Sequence, residues 1–281
     1  DEPGWRLYMN AMDCMYKNNP IKIDIAGSVE SISKITPDVL YKCYNTFYNP
    51  SNMIMVVCGD FKPEEILEEI KKRLLPKEEQ GDIQRIYPEK ETTINMPYKE
   101  VKMEVSTPIF AIGYKDIEGI GNKKEIVKKH IAIEILLNMI IGKSSDAYKE
   151  LYETGDLLTV PDLDYEFSDE YAHILISGQS KNPDKIKEKI EKEIEQYKNK
   201  GLNKEHFERI KKKIYGDYVA EYNSVGNIAR MFLADKMKGI NSLDYIEEYN
   251  TVTKEYTQEV LRDVFKTENL VMSVVKCKQE S

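Results

Sequence analysis

Histidine and cysteine, the commonest zinc ligands of proteins, are scarce in this sequence. Only three histidines and four cysteines occur among 281 residues, and no HxxEH, HxxxH or CxxC pattern can be drawn from them. We therefore predict no metal site within the chain. His130 and Glu134 are the best fragment of a ligand pair, but a second ligand face is missing, so we interpret His130 as a core or half-buried histidine. We interpret His173 as a surface or cross-strand residue and give His206 no role.

Nucleophile and phosphate motifs are also missing. The chain has no GxSxG elbow, and although Ser144 and Ser145 follow a glycine, helix capping explains a serine there. The segment Gly119-Ile120-Gly121 lacks the third glycine and the GK[ST] ending of a phosphate loop, which favours a simple turn. Acidic residues number 49, and no acid/base pair can be chosen among them. We therefore assign no catalytic residue.

The composition argues against several partners and settings. No signal peptide or apolar run of membrane-spanning length is present, and the net charge of −8 argues against nucleic acid and anionic membrane surfaces. The cysteines show no metal-ligand spacing, which indicates a reducing, cytoplasmic setting: Cys14, Cys43, Cys58 and Cys277. A hydrophobic share of 41% can fill a core, and the length fits about two domains. Because the chain begins at Asp1 without a methionine, we expect a piece of a longer protein.

The first part of the chain reads as the end of an α/β unit. Its pattern predicts helices at 5–16, 37–47 and 63–75, a short strand or extended segment at 21–26 and a buried strand at 53–58. A charged stretch with several prolines and no periodicity follows, and we interpret it as a linker. We predict a partial first domain at 1–80, a linker at 81–98 and a complete second domain at 99–281.

The second domain is predicted to contain strands and helices that return to a last strand. Strands are predicted at 101–105, 109–115, 157–167, 171–177 and 270–275, and helices at 122–141, 183–200, 204–222, 227–237, 243–249 and 256–265. This order describes an α+β sandwich, with an antiparallel sheet and helices packed on one face.

A tight corner between two helices is the most distinctive element of the second domain. Asn122 and Glu125 form a predicted capping box at the start of the long apolar helix, and Gly142 ends it. Its predicted buried face consists of Ile126, Val127, His130, Ile133, Leu137 and Ile140. Ser144 is then predicted to cap a shorter helix that closes at Gly155.

Several short motifs resemble the insulinase-like M16 zinc peptidases, and most of all their bacterial branch associated with 5-aminopentanol modification of elongation factor P. The first group is PIKIDIAG at 20–27, a helix that opens at Ile35-Thr36, YNPSNM at 48–53 and VCGD at 57–60. The second is SSxxYxxLYxxG at 144–155. The resemblance covers nearly the whole chain.

The resemblance implies a fold, a metal and a partner. Family members have two similar α/β halves that close around an extended peptide. In the active half an HxxEH helix and a distal Glu hold zinc, and the HxxEH Glu activates a water molecule. Since the distal Glu of the family falls shortly before a segment like the start of this chain, the resemblance implies that all catalytic residues and the zinc lie upstream. The partner would be the missing N-terminal half or a paralogous M16-like subunit, and a homodimer is an option.

The resemblance also points to substrate contacts. Many active relatives carry an Arg after the short helix and a Tyr seven residues later, both of which hold the substrate near zinc. The aligned positions are Tyr152 and Thr159, which do not match, so that role is not carried over. Ser144, Tyr148, Tyr152 and Thr159 remain candidate substrate contacts. The alternative is a non-catalytic binding or assembly subunit of an M16-like complex.

Under both hypotheses the sheet of the first domain is incomplete. We therefore expect an exposed sheet edge that pairs with another copy, or poor order near residues 1–30.

Overall fold

The computed structural model describes residues 2–75, 81–117 and 123–278, which form two compact units. The larger one, here called the sheet unit, consists of Asp1–Asp24, Tyr87–Asp217 and Leu243–Ser281. The smaller one, here called the helical unit, consists of Ile25–Ile86 and Tyr218–Ser242. The predicted division at 1–80, 81–98 and 99–281 concerns which half of a longer protein each segment belongs to, and it stays a prediction.

One five-stranded sheet forms the centre of the sheet unit. In the described residues its strands are β1 (Tyr98–Met103), β2 (Ile109–Lys115), β3 (Asp162–Phe167), β4 (Ala172–Gln179) and β5 (Leu270–Cys277). Their order across the sheet is β1-β5-β2-β4-β3. The central register sets Ile112 between Ile176 of β4 and Met272 of β5. The α+β sandwich is confirmed, and one strand pair, β1 with β5, runs parallel.

Helix α1 (Pro3–Met15) covers one face of this sheet. Glu2 caps it by accepting hydrogen bonds from the backbone N–H groups of Gly4, at 2.9 Å, and Trp5, at 2.5 Å. Its apolar side packs on β1, β5 and β2 through Leu7, Ala11, Met12, Cys14 and Met15. Gly113 makes room for it, because a Cβ there would lie 2.0 Å from Met15 Cε. Helices therefore lie on both faces of the sheet and not on one face as predicted, while an exposed pairing edge or poor order near residues 1–30 stays a prediction.

The opposite face carries the long apolar helix. Helices α5 (Lys123–Ile140), α7 (Pro183–Lys200) and α11 (Lys254–Val264) pack together there. The α5 helix is buried more widely than its predicted stripe, since four residues outside that stripe have no exposed area: Ile131, Ala132, Ile135 and Leu136. A helix that is apolar all round belongs in a core. The predicted cap at Asn122 and the turn at 119–121 lie outside the described residues.

The corner after α5 is confirmed, with one correction. Helix α6 (Asp146–Glu153) is capped by Ser145, whose Oγ accepts a hydrogen bond from the N–H of Tyr148 at 3.1 Å. The predicted cap, Ser144, is therefore one residue too early. The sheet unit is completed by the start of α8 (Lys204–Ala220) and by α10 (Asp244–Thr251). Of the described helices, none combines the length and apolar character needed to cross a bilayer.

The helical unit buries few of its side chains. It contains α2 (Val29–Ile32), α3 (Pro37–Phe47), α4 (Pro63–Arg73) and α9 (Val225–Met237), and none of these four helices has a buried residue. Thr36 caps α3 as predicted, with its side chain accepting a hydrogen bond from the N–H of Val39 at 3.4 Å. Helices α3, α4 and α9 were predicted and α2 was not, and the apolar side chains of all four are exposed or only half-buried.

Two predicted strands are wrong. Pro20–Lys22 is a short 3-10 helix capped by Asn19, and the alternating residues that follow form no strand. Residues 53–58 are not part of any strand in the described structure, and Met53 and Met55 are 58% and 68% exposed. The physical reason is the same in both cases. A strand needs a neighbouring backbone to pair with, and none of the described residues supplies one.

Candidate functional site

The four candidate substrate contacts fall into two places in the sheet unit. Ser144 is exposed at the corner before α6. Tyr148 is buried on α6, and its ring stacks on that of Tyr152 at 5.6 Å between centroids. Tyr152 is 56% exposed. Thr159 is also exposed, but it lines a groove whose walls include none of the other three residues. Their role in binding substrate stays a prediction.

The groove beside Thr159, here called the sheet groove, lies between α1 and the sheet and has a volume of about 370 Å³. Apolar side chains from α1, β2 and β4 line it: Leu7, Tyr8, Ile109, Ala111 and Leu175. Polar and small residues complete it: Gly4, Asp162, Ser177, Gly178 and Gln179, with Thr159 and Val160. It is the part of this face of the sheet that α1 leaves open.

Carboxylates follow the strand beside the sheet groove. Asp162, Asp164 and Glu166 alternate along β3, so they lie on the same face of the sheet as the groove. The Glu166 carboxylate accepts hydrogen bonds from the hydroxyl groups of Tyr8, at 3.2 Å, and Tyr171, at 2.9 Å. Burial, together with the charge of Glu166, raises the pKa of both tyrosines, so both hydroxyls stay protonated as donors.

The three histidines are structural in character. His130 is half-buried, as predicted, and its Nδ1 lies 2.7 Å from the Tyr245 hydroxyl. His173 is a cross-strand residue, but it has no exposed area, so the surface alternative is wrong. Its Nδ1 lies 3.0 Å from the Tyr16 hydroxyl, and burial lowers its pKa to about 4. His206 lies near the start of α8, where its backbone N–H donates a hydrogen bond to the Asn203 side-chain oxygen at 2.8 Å.

A buried charge cluster at the end of β2 was not predicted. Lys115 is 3% exposed, and its Nζ lies 2.9 Å from Glu91 Oε2. The same ammonium donates to the backbone carbonyls of Met15, at 2.9 Å, and Thr93, at 2.7 Å. The signal for it was a lysine that ends an otherwise apolar strand. The part of the predicted linker around Glu91 is therefore packed against the sheet unit.

The described residues do not fit a zinc ion. Among them, no group of three or more His, Cys, Asp and Glu side chains is placed to hold a metal. His130 Nε2 and Glu134 lie 3.7 Å apart on one face of α5. A zinc site needs three or four donors around one point. No reaction step through zinc is therefore derived for these residues.

Comparison with known proteins gives the family. A family model described as the peptidase M16 inactive domain matches residues 34–214. The chain is 32% identical over 277 residues to a protein of Bacillus subtilis (strain 168) named uncharacterized zinc protease YmfH. This match covers 98% of the chain and 64% of the relative, so the chain spans less than two thirds of the relative's length.

Solved structures share the fold. An M16-like peptidase from Alicyclobacillus acidocaldarius superposes with a TM-score of 0.91 at 30% identity, over 99% of this chain and 67% of that one. A protease from Helicobacter pylori superposes with a TM-score of 0.81 at 19% identity, over 98% of this chain and 67% of that one. A peptidase M16 inactive domain from Pseudomonas fluorescens gives 0.74 at 12% identity, over 99% and 66%.

The fold and the site together define a class of domain. It is an α+β sandwich whose described residues form no metal centre. Within that class, the chain belongs to the peptidase M16 family and carries its inactive domain.

Proposed function

We propose that this chain is the C-terminal, non-metal portion of a longer M16-like zinc metalloendopeptidase and that it is inactive alone. The observation that carries the proposal is the match of an inactive-domain model to a chain that spans 64% of a relative named a zinc protease. Zinc and its ligands would lie in the remaining part of the longer protein. The task of this portion would be to enclose the substrate, an extended peptide.

The partner in this proposal is the N-terminal half of the longer protein or a paralogous M16-like subunit. The exposed apolar surface of the helical unit supports it. A groove of about 810 Å³ there is lined by apolar side chains from the segment 50–61, from α4 and Leu74 after it, and from Leu233. Surfaces of this kind mark contacts with another polypeptide. A homodimer through the same surface is the competing arrangement, and the mass of the isolated chain in solution distinguishes the two.

Substrate would contact this portion at the candidate positions. Tyr148 and Tyr152 form a stacked pair on α6, and Thr159 lines the sheet groove. Aromatic side chains provide large contact areas for peptides at low entropic cost. We place the protein in the cytoplasm, because the four cysteines are unpaired in the structure, and we propose neither nucleic acid nor membrane as a partner.

The test is a cleavage assay. The isolated chain, incubated with zinc and unstructured peptides, should show no hydrolysis, whereas the longer protein should cleave the same peptides and lose that activity to a chelator. Hydrolysis by the isolated chain that a chelator abolishes would overturn the proposal. If the longer protein binds peptides without cleaving them and lacks an intact HxxEH, the second candidate holds, a non-catalytic binding or assembly subunit.

A further inference from the structure

The sheet groove is an open part of an otherwise covered sheet face. Helix α1 packs on β1, β5 and β2, and β4 and β3 continue the same face beyond it. On that continuation Ser177 is half-buried, and Gln179, Asp162 and Asp164 are exposed. The described residues of the sheet unit therefore leave a strip of this face accessible beside the helix.

The floor of the groove is apolar. Leu7 of α1, Ala111 of β2 and Leu175 of β4 are buried and belong to one hydrophobic cluster, while Ile109 is half-buried at the same wall. Trp5 stacks on Tyr8 at 5.6 Å and extends the aromatic side of the groove. A side chain with an aliphatic stem therefore gains free energy from contact with this floor.

The rim of the groove is acidic. Among the described residues that line the groove, the one charged side chain is Asp162. Asp164 and Glu166 continue the row along β3, and four residues of strand span about 13 Å. Glu166 is held in place by the two tyrosine hydroxyls at 3.2 and 2.9 Å. A row of carboxylates next to an apolar floor is complementary to a side chain with an aliphatic stem and a cationic end.

We propose that the sheet groove binds a lysine or arginine side chain of an extended peptide. The aliphatic stem lies on Leu7, Ala111 and Leu175, and the charged end reaches the carboxylates of β3. The inference rests on the proposed function, in that the peptide would be the substrate, and it adds the substrate class, a peptide with basic residues.

The carboxylates of β3 could instead serve only to prevent pairing with another sheet, and that role predicts a different binding result. Charged residues on an edge strand also prevent unwanted pairing between sheets, and β3 is the last strand in the described sheet. If that were the whole role of Asp162 and Asp164, a cationic side chain would bind no better than a neutral one of the same length. Norleucine has such a neutral side chain, because it keeps most of the lysine stem without the ammonium.

The experiment measures the binding of three fluorescein-labelled, capped nine-residue peptides to the 281-residue chain. The peptides are identical except that a central residue is lysine, norleucine or glutamate, and anisotropy gives each Kd. We expect the lysine peptide to bind more tightly than the norleucine peptide, by about two- to fivefold for each contacted exposed charge. This preference should disappear as added salt shortens the Debye length from about 30 Å to about 3 Å.

Variants assign the preference to the groove. The double change Asp162→Asn with Asp164→Asn should remove the preference for lysine, and Ser177→Phe, which fills the groove without changing charge, should weaken the lysine and norleucine peptides alike. Glu188→Gln removes one exposed charge on α7, outside the groove, and should change neither. Thermal melting checks that each variant folds.

Three outcomes would overturn the inference. They are equal affinity for the lysine and norleucine peptides, no measurable binding of the lysine peptide, and a preference for lysine that survives both groove variants. None of these outcomes bears on whether the longer protein cleaves peptides, so failure here is distinguishable from failure of the proposed function.

Discussion

Glu91, which is half-buried, and His173, which is buried, are two titratable groups of the sheet unit whose pKa values are shifted by different causes. Burial alone would raise the pKa of Glu91, but hydrogen bonds from the N–H groups of Asn18 and Lys17, and from the Lys115 ammonium, lower it to about 2. His173 has no exposed area, and burial lowers its pKa to about 4. Both groups therefore stabilise the folded state at neutral pH relative to acid.

We predict that acid destabilises the sheet unit in two successive pH windows that meet near pH 4. The unfolded chain takes up a proton on His173 near pH 6.5 and on Glu91 near 4.5, whereas the folded chain does so near 4 and 2. Stability is therefore lost as pH falls from 6.5 to 4 through His173, and from 4.5 to 2 through Glu91. Each window corresponds to about 3 kcal/mol at most.

Denaturant unfolding as a function of pH measures these windows. His173→Gln should flatten the upper one and Glu91→Gln the lower one, and each change also weakens the protein at neutral pH. Glu89→Gln, an exposed neighbour, is the matched control and should leave both windows unchanged. If His173→Gln and wild type show the same pH slope above pH 4, the buried neutral histidine is not the cause.

Helix α6 shows how one residue position decides the start of an element. Two consecutive serines precede it, and either could serve as the N-cap by sequence. In the structure Ser145 is 3% exposed and accepts the N–H of Tyr148, while Ser144 is exposed. The sequence predicted that a serine would cap this helix, and the local backbone geometry decided which one.

We predict unequal effects for two alanine substitutions at this corner. Ser145→Ala should lower the free energy of unfolding by about 1 kcal/mol, because the Tyr148 N–H loses its acceptor. Ser144→Ala, the matched control, should change it by no more than about 0.5 kcal/mol. Urea titration of both variants provides the measurement, and equal costs would contradict the assignment of the cap.

At the scale of the whole chain, the two units differ in how they treat apolar residues. In the sheet unit Met12 has no exposed area under the sheet, whereas Met55 in the helical unit is 68% exposed. Most large apolar side chains of α3 and of residues 53–57 are likewise exposed. The sheet unit therefore contains its own core, and the helical unit presents an apolar surface.

We predict that the same substitution, methionine to lysine, lowers the free energy of unfolding by very different amounts in the two units. Met12→Lys should destabilise the sheet unit by several kcal/mol, because it places an unpaired charge in a core. Met55→Lys should cost no more than about 0.5 kcal/mol in this chain and should reduce binding of a hydrophobic dye. Trp5 is the single tryptophan and reports unfolding of the sheet unit. A large cost for Met55→Lys would show that this residue is buried in solution.

The sequence predicted best those helices and strands whose start, end and buried side are all marked by nearby residues. Helices α3, α7 and α11 have capping residues, amphipathic spacing and clear ends, all of which are local. The strands β2, β4 and β5 are short apolar runs bounded by turns, and they were found for the same reason.

The tertiary structure decided what depends on partners far away in sequence. Whether residues 53–58 become a strand depends on a neighbouring backbone, and the pattern alone could not supply it. Whether Lys115 is buried depends on Glu91 and on the end of α1, which lie in distant segments. The sheet groove exists because α1 packs mainly on β1, β5 and β2 and leaves part of β4 and β3 open. Local patterns specify elements, but burial and grooves are properties of how distant elements pack.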